Sequence, residues 1–424
     1  MNLQPESHGL WATTAPPPPE TSALAEEVRT DVAIIGGGFT GLSAALHLAE
    51  AGIAATVVEA NEFGFGGSGR NAGLVNPGFW LPLPDIIKAL GEEAGERMID
   101  DLSKAPSVVF NLIKKHGITC EAVRNGNLHM AHSARGFADL AGRCEEWARR
   151  GAPVEMYDRS TTIDKTGTTA YQGAMLDRRA GTIQPLAYVR GLADAALNAG
   201  ANLFTQSPAQ SIIQENGHWI IKTPDGTLIA EKLLISTGGY GQDAQQARHQ
   251  TVPYFYFQCA TRPLSHNILA EILPEKHGTW DTHTVLRSFR LDADGRLIFG
   301  SIGKLDSGGG LHKEWAVRGL KAIYPQIAED AWEEAWYGRI AMTHDHLPRL
   351  VEVGINGLAI YGYNGRGIGP GTVFGRAIAK YFETGEETAL PFPITPNPNE
   401  PFAGLRGLAI EAGARAFHLM DGRI

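Results

Sequence analysis

The sequence predicts a chain of the α/β class, α+β overall, in which a parallel nucleotide-binding unit is joined to a second domain built on an antiparallel sheet. Three observations predict it. Residues 31–60 read as strand, glycine turn, helix, strand, with apolar residues passing from a continuous run to helical spacing and back. Residues 254–301 hold alternating and aromatic runs, YFYFQ, TVLRSFRLD and RLIFGSI, of the kind that pair as antiparallel strands. Glycine is concentrated in the first turn and in loops at 64–73 and 365–371, so distant parts of the chain carry the same backbone-exposing feature.

The first unit is a Rossmann-like element. Val32, Ala33, Ile34 and Ile35 lead into Gly36-Gly37-Gly38-Phe39-Thr40-Gly41, a G-x-G-x-x-G that opens a helix with Leu42, Ala45, Leu46 and Ala49 in phase. Gly36 makes the tight turn, Gly38 lets backbone approach a pyrophosphate, and Gly41 lets helix and strand pack closely. The helix N-terminus offers unpaired N–H groups and a positive dipole end to that anion. A second strand from Ala55 to Val58 ends at Glu59 and Ala60, near the distance of about twenty residues at which a ribose-binding acid is expected. The Glu59 carboxylate would accept from a ribose 2′-hydroxyl and repel the extra phosphate of NADP. Alone, the glycine turn is weak; with strand, helix, second strand and acid in register it predicts a bound dinucleotide.

Length and composition set the bounds. At 424 residues with 43% hydrophobic residues, the chain can build one large or two medium domains. A net charge of -9 argues against nucleic acid or an anionic membrane as a main partner. No apolar run is long enough to span a bilayer, and the N-terminal residues lack the basic start and apolar core of a secretion signal. Cys120, Cys144 and Cys259 are few, odd in number and widely spaced, which suits a reducing compartment and places the protein in the cytoplasm.

Residues 1–30, with prolines at 16–19, read as an extended arm, either solvated or packed over the body. After the first unit, Gly67, Ser68, Arg70, Asn71, Ala72 and Gly73 lie in a loop placed to wrap the pyrophosphate, with Arg70 and Asn71 as donors. Residues 86–149 are helical in pattern, and residues 177–200 run from a turn into an amphipathic helix. A hairpin around Asn216-Gly217 precedes an apolar strand that ends at Thr237-Gly238 and returns the chain to the first sheet. Residues 358–385 repeat the opening theme: a strand, the loop containing Gly365, Arg366, Gly367, Ile368 and Gly369, then a helix. Residues 391–401 read as a proline-rich, extended tail. Three glycine-lined approaches from distant segments fit one long ligand.

These motifs together resemble the D-amino-acid oxidase superfamily of FAD-dependent oxidoreductases: GGGFTGLSAALHLAEAG, GFGGSGRNAG, the D-x-x-x-G-x-I-x-P unit at 177–185, STGG and YGYNGRGIGPG. Within it the nearest likeness is to the gamma-glutamylputrescine oxidases, with glycine oxidases and monomeric sarcosine oxidases further off. The resemblance implies an FAD-binding domain from residues 31–85, 150–245 and 340–390, a substrate domain from the helical segment 86–149 and residues 246–339, and a tail at 391–424. It implies that Gly36, Gly38, Gly41 and Glu59 hold the ADP half of FAD, that Ser68, Arg70, Asn71 and Gly73 run along the pyrophosphate, and that Gly238 borders the nucleotide. It also implies that the 365–371 loop meets the pyrimidine edge of the flavin, where reduction places negative charge. No cysteine follows Cys259, so FAD is expected to be noncovalent.

Three departures bear on chemistry. Where sarcosine oxidases carry an oxygen-activating lysine, this chain has Ile298, which puts fast reaction with oxygen in doubt; where they hold the substrate carboxylate with a lysine, it has Gly369. Arg366 stands where the gamma-glutamylputrescine oxidases have histidine, and could reshape the pocket or add an anion contact. The expected activity is oxidation of a small primary or secondary amine to an imine, with oxygen or another electron acceptor. Candidates around the substrate are Trp80, Tyr254, Tyr256, His344, Tyr363 and Arg366. Residues 343–346, Thr-His-Asp-His, lack the third distant partner of a metal site, and no metal is expected. A nicotinamide-dependent reductase and a non-catalytic or electron-transferring flavoprotein subunit remain as other classes.

Overall fold

Glu27–Ile35 is the axis of the nucleotide-binding half, because its last four residues are apolar on both faces and suit the middle of a covered parallel sheet. The computed structural model describes residues 2–3, 7–241, 251–305, 310–328, 331–396 and 401–421. Ala55–Val58 pairs with Glu27–Ile35 on one side and Asn202–Phe204 lies beyond it; Thr227–Ile235 pairs on the other side, followed by Gly357–Tyr361, all in parallel. The hairpin Ser211–Glu215/His218–Lys222 extends the eight-stranded sheet, turning at Asn216 and Gly217, both at positive φ. Phe39–Glu50, Pro185–Asn198 and Ile368–Thr384 share one apolar core with this sheet.

The second half is a nine-stranded sheet, mostly antiparallel, centred on Val252–Thr261, Leu297–Ile302 and Arg287–Leu291 and continued through Trp332–Met342. Its other edge runs through Gly278–Asp281, Asn127–Ala131, Gly173–Asp177 and Val154–Tyr157. Two expected boundaries therefore move. The segment 86–149 is not wholly helical: Asn127–Ala131 is a strand, with three helices before it and Ala134–Arg149 after it. Residues 150–245 do not fall on one side either, because Val154–Tyr157 and Gly173–Asp177 belong to the second sheet. Both strands are short and flanked by strong helical periodicity, which masked them.

The ends also differ from the expected extended segments. Leu10–Thr14 is a short helix whose Trp11 is fully buried, donating from Nε1 to the Asn71 carbonyl at 3.0 Å and meeting the Trp336 ring edge-on at 5.5 Å. In the segment expected as a tail, Ala403–Met420 is a helix laid against Gly310–Ile323 and the second sheet. His418 and His312 approach to 2.7 Å between Nδ1 atoms, His312 Nε2 meets Glu411 at 3.1 Å, and the Trp315 ring stacks on His418 at 3.9 Å. Asp421 accepts from Trp315 Nε1 and Arg287.

Burial first, then the His312 charge, pushes His418 down to about 3. A histidine held neutral in the fold binds a proton on unfolding, so its contribution is complete above the unfolded value of about 6.5 and is lost as pH falls from there toward 3. Acidification from pH 7.5 to 5 is accordingly expected to lower the thermal midpoint and to open 403–420 to protease before the rest of the chain. His418→Gln, which cannot titrate, should flatten that pH dependence; an unchanged pH profile would contradict the assignment.

Candidate active site

The helix Phe39–Glu50 starts at Gly38, which has no side chain to cap it, at the point where the first and second strands end; its first N–H, of Phe39, is taken by the Ser68 hydroxyl. Gly36 takes φ 105, a turn that side chains resist, and a Cβ on Gly41 would lie 2.1 Å from the Gly36 carbonyl oxygen. Gly41 is thus a packing residue and does not line the cavity. Glu59 sits beside the turn: one oxygen accepts from Gly37 N–H at 2.7 Å and the other from Asn61 N–H at 3.0 Å. Burial pushes its carboxyl up, opposed by these two donors.

From here a cavity of about 590 Å³ runs along the C-terminal ends of the parallel strands and under the second sheet. Gly36, Gly38, Phe39, Thr40, Glu59, Ala60, Gly67, Ser68, Arg70, Asn71, Ala72, Thr237 and Gly238 line it. Gly365, Arg366, Gly367, Ile368, Gly369, Tyr254, Tyr256, Trp80 and Tyr363 line it as well. The Ser68 hydroxyl accepts from Phe39 N–H at 3.1 Å, anchoring the second glycine loop to the helix start. Thr40 and Tyr363 hydroxyls meet at 2.7 Å, which ties the first loop to the last.

Several expected roles change. Asn71 is turned into its own loop, donating to the Gly67 and Ser68 carbonyls and accepting from Gly73 N–H. Arg70 donates to the carbonyls of Phe65, Ser7 and Tyr337, so these two residues brace the loop from within. Gly73 lies behind the wall, where a Cβ would meet the Ile183 carbonyl oxygen at 2.1 Å. His344 is exposed and outside the cavity; the turn puts His346, with φ 59, at the rim in its place. Asp345 between them is paired with Arg349 at 2.8 Å, and no group of three metal-binding side chains occurs among the described residues. Ile298 is buried in the core and is not among the residues that line the cavity.

Sequence reasoning missed Trp280, Ser288, Leu286, Ile302 and His346, which come from strands and turns with no motif. Tyr256 donates to Ser288 Oγ at 2.8 Å, and Tyr254 is pushed up to about 12 by burial. Thr237 Oγ1, Trp280 Nε1 and Arg366 Nε are buried with no hydrogen-bond partner among the described residues. A long cavity with a helix start and an acid at one end, and orphaned polar atoms along its walls, fits a dinucleotide with a second, smaller ligand beyond it.

Fold and cavity define a dinucleotide-dependent enzyme of the α/β type with a second sheet over the reactive end. The chain belongs to the DAO family, FAD dependent oxidoreductase, whose model matches residues 31–381. It is an FAD-dependent oxidoreductase, and the nicotinamide reductase reading falls away. A probable oxidoreductase, OrdL, of Rhizobium meliloti is 32% identical over 85% of each chain. The gamma-glutamylputrescine oxidoreductase of Escherichia coli is 28% identical over 94% of each. Glycine oxidase from Geobacillus kaustophilus shares the fold with a TM-score of 0.71 at 22% identity, covering 87% of this chain and 98% of that one. No helix among the described residues is long and apolar enough to cross a membrane.

The Gly41 contact makes a direct test. Gly41→Ala should force the helix from the strand and cost about 1–3 kcal/mol. The readout is the denaturant midpoint, with flavin loss preceding global unfolding; wild-type stability would exclude the close contact.

Proposed function

We propose that this enzyme oxidises a primary or secondary amine to an imine, which water hydrolyses to an aldehyde or keto acid and the remaining amine. The observation that carries this reading is the aromatic lining of the cavity by Tyr254, Tyr256, Trp80, Trp280 and Tyr363, with Trp80 and Trp280 set against Arg366 of the loop at 365–369. FAD, held noncovalently, supplies a two-electron acceptor for the hydride equivalent. The Gly36–Gly41 turn and Glu59 would hold its adenosine end, the loop around Ser68 its pyrophosphate, and the N-terminus of Ile368–Thr384 its pyrimidine edge. That helix also starts without a side-chain cap, leaving N–H groups to stabilise negative charge there.

The substrate loses the hydrogen on the carbon next to a neutral amine nitrogen; the nitrogen lone pair becomes the second C–N bond, and the iminium proton leaves to water. The protein's part is to orient that C–H bond and exclude bulk water. Tyr254 and Tyr256 are held as neutral phenols by burial, which raises both. They act as walls and hydrogen-bond donors in this reading, and Tyr256 is already committed to Ser288. The free, buried cysteines accord with a cytoplasmic location.

Anaerobic mixing of the yellow protein with gamma-glutamylputrescine, putrescine, N-methyl amino acids and D-amino acids should bleach the oxidised flavin band with at least one amine. No bleaching with any would refute the amine reading. Admission of oxygen then separates an oxidase, which recolours within turnover time, from a dehydrogenase or electron-transferring subunit that needs another acceptor. Glu59→Ala, which removes the acceptor at the Gly37 turn, should weaken FAD binding roughly 10- to 100-fold by flavin fluorescence titration.

A further inference from the structure

The helix Ala403–Met420 presents its apolar side to solvent and its polar side to the protein, the reverse of an ordinary surface helix. Three of its four titratable side chains are drawn toward the body: Glu411 meets His312 at 3.1 Å and holds Arg415 at 2.8 Å, and His418 is buried against Trp315. Apart from Arg406, its exposed residues are apolar or glycine. Leu405 and Leu408 are 64 and 69% exposed near its start, and Leu419 and Met420 are 48 and 55% exposed at its end. Phe402, just ahead of the helix, is 76% exposed. Among the described residues only Ile355 joins these five as an exposed large hydrophobic, so nearly all such surface is gathered on one element.

The helix cannot roll to hide that face. A Cβ on Gly407 would lie 2.6 Å from Pro253 Cγ, and Ala414 packs with Val285 and Ile302, so the opposite side is fixed against the second sheet. Leu405, Ala409, Ala412, Ala416 and Leu419 recur at alternating spacings of four and three residues, all of them exposed. That spacing is the seam of one helix packed along another. The seam is close to symmetric about Ala412 and Gly413, with small residues in the middle and long ones at both ends.

We infer that this face is the contact between two copies of the chain, packed antiparallel about a twofold axis at Ala412 and Gly413. The small middles let the two backbones approach, while Leu405 and Leu408 of each copy reach the Leu419–Met420 end of the other, which is the self-complementarity a twofold contact requires. Arg406 then lies toward the carbonyl end of the opposing helix, where a cation is favoured. The five large side chains expose roughly 600 Å² per copy, so pairing buries about 1,200 Å², the lower end for a specific dimer. A lipid surface fits less well, because helices that lie among headgroups carry Lys and Arg along the polar face. This one exposes Arg406 and half-buries Arg415, on a chain of net charge -9. Pairing also braces the substrate side of the cavity, since Ile302, Tyr254 and Tyr256 share the cluster under Ala414 and line the cavity wall.

The test is sedimentation of the FAD-loaded full chain over a concentration series. Wild type should sediment as a dimer or a multiple of one. Leu405→Lys should weaken that association on the order of 100-fold, because it buries an unpaired charge, and Met420→Glu should do the same. Flavin spectra and far-ultraviolet circular dichroism like those of wild type show that each variant is folded. Leu405→Lys and Met420→Glu combined in one chain should recover the assembly: the two positions are about 22 Å apart along a helix and can pair only across the axis. A wild type that stays monomeric, single variants that leave its mass unchanged, or a double variant that stays apart would overturn the assignment. A monomer that floats with vesicles of phosphatidylglycerol and phosphatidylcholine would overturn it in favour of a lipid surface.

Discussion

The close contact between Phe39–Glu50 and Ile368–Thr384, the first and last of the three helices that share the core of the parallel sheet, is the constraint on which the rest of the site depends. A Cβ on Gly375 would lie 2.4 Å from the Thr40 carbonyl oxygen, and one on Gly371 3.1 Å from Thr40 Oγ1, so the two helices touch backbone to backbone. Ser43 Oγ donates to the Thr372 carbonyl at 2.7 Å across the same seam. Such proximity requires glycine on the last helix and small side chains on the first. It brings two uncapped helix starts, more than three hundred residues apart in sequence, onto one cavity. Residues at both helix starts, Phe39 and Thr40 on one and Ile368 and Gly369 on the other, line it.

Glycine spacing made this half of the molecule legible. The turn at 36–41, the loop at 64–73 and the loop at 365–371 are local signals, since each needs backbone that other residues refuse, and each is on the cavity. The aromatic and alternating runs within 254–301 were equally readable: Arg287–Leu291 and Leu297–Ile302 pair as antiparallel strands. What the sequence hid was partnership. Asn127–Ala131 looks like part of a helical stretch until Gly278–Asp281 and Gly173–Asp177 pair with it, and nothing local announces those partners.

The same reason explains the misplacements at the site. Arg70 and Asn71 carry the donors expected of a phosphate loop, but carbonyls exposed by the loop's own tight path claim them first. His344 and His346 lie two apart, and only the positive φ of His346 decides which one reaches the rim. Trp280 has no motif at all; it enters the wall because its strand sits between Arg287–Leu291 and Asn127–Ala131. The parts of the cavity built on backbone turns can be read from glycine. The parts lined by side chains from several strands need the fold.

The N-terminal segment gives the architecture a temporal side. Trp11 holds the Asn71 carbonyl, accepts through its own carbonyl from Gln184 Nε2, lies under the Arg290 guanidinium and meets Trp336. Its partners are spread from the first sixth of the chain to the last quarter, although Trp11 itself leaves the ribosome almost first. Long-range closures of this kind come late in folding. The nucleotide half does not close ahead of the Trp11 contacts, because its own strand Gly357–Tyr361 and helix Ile368–Thr384 follow the strand that bears Trp336. The floor of the loop at 64–73 is thus assembled from the start of the chain and from its last quarter, and its closure waits for synthesis of most of the polypeptide.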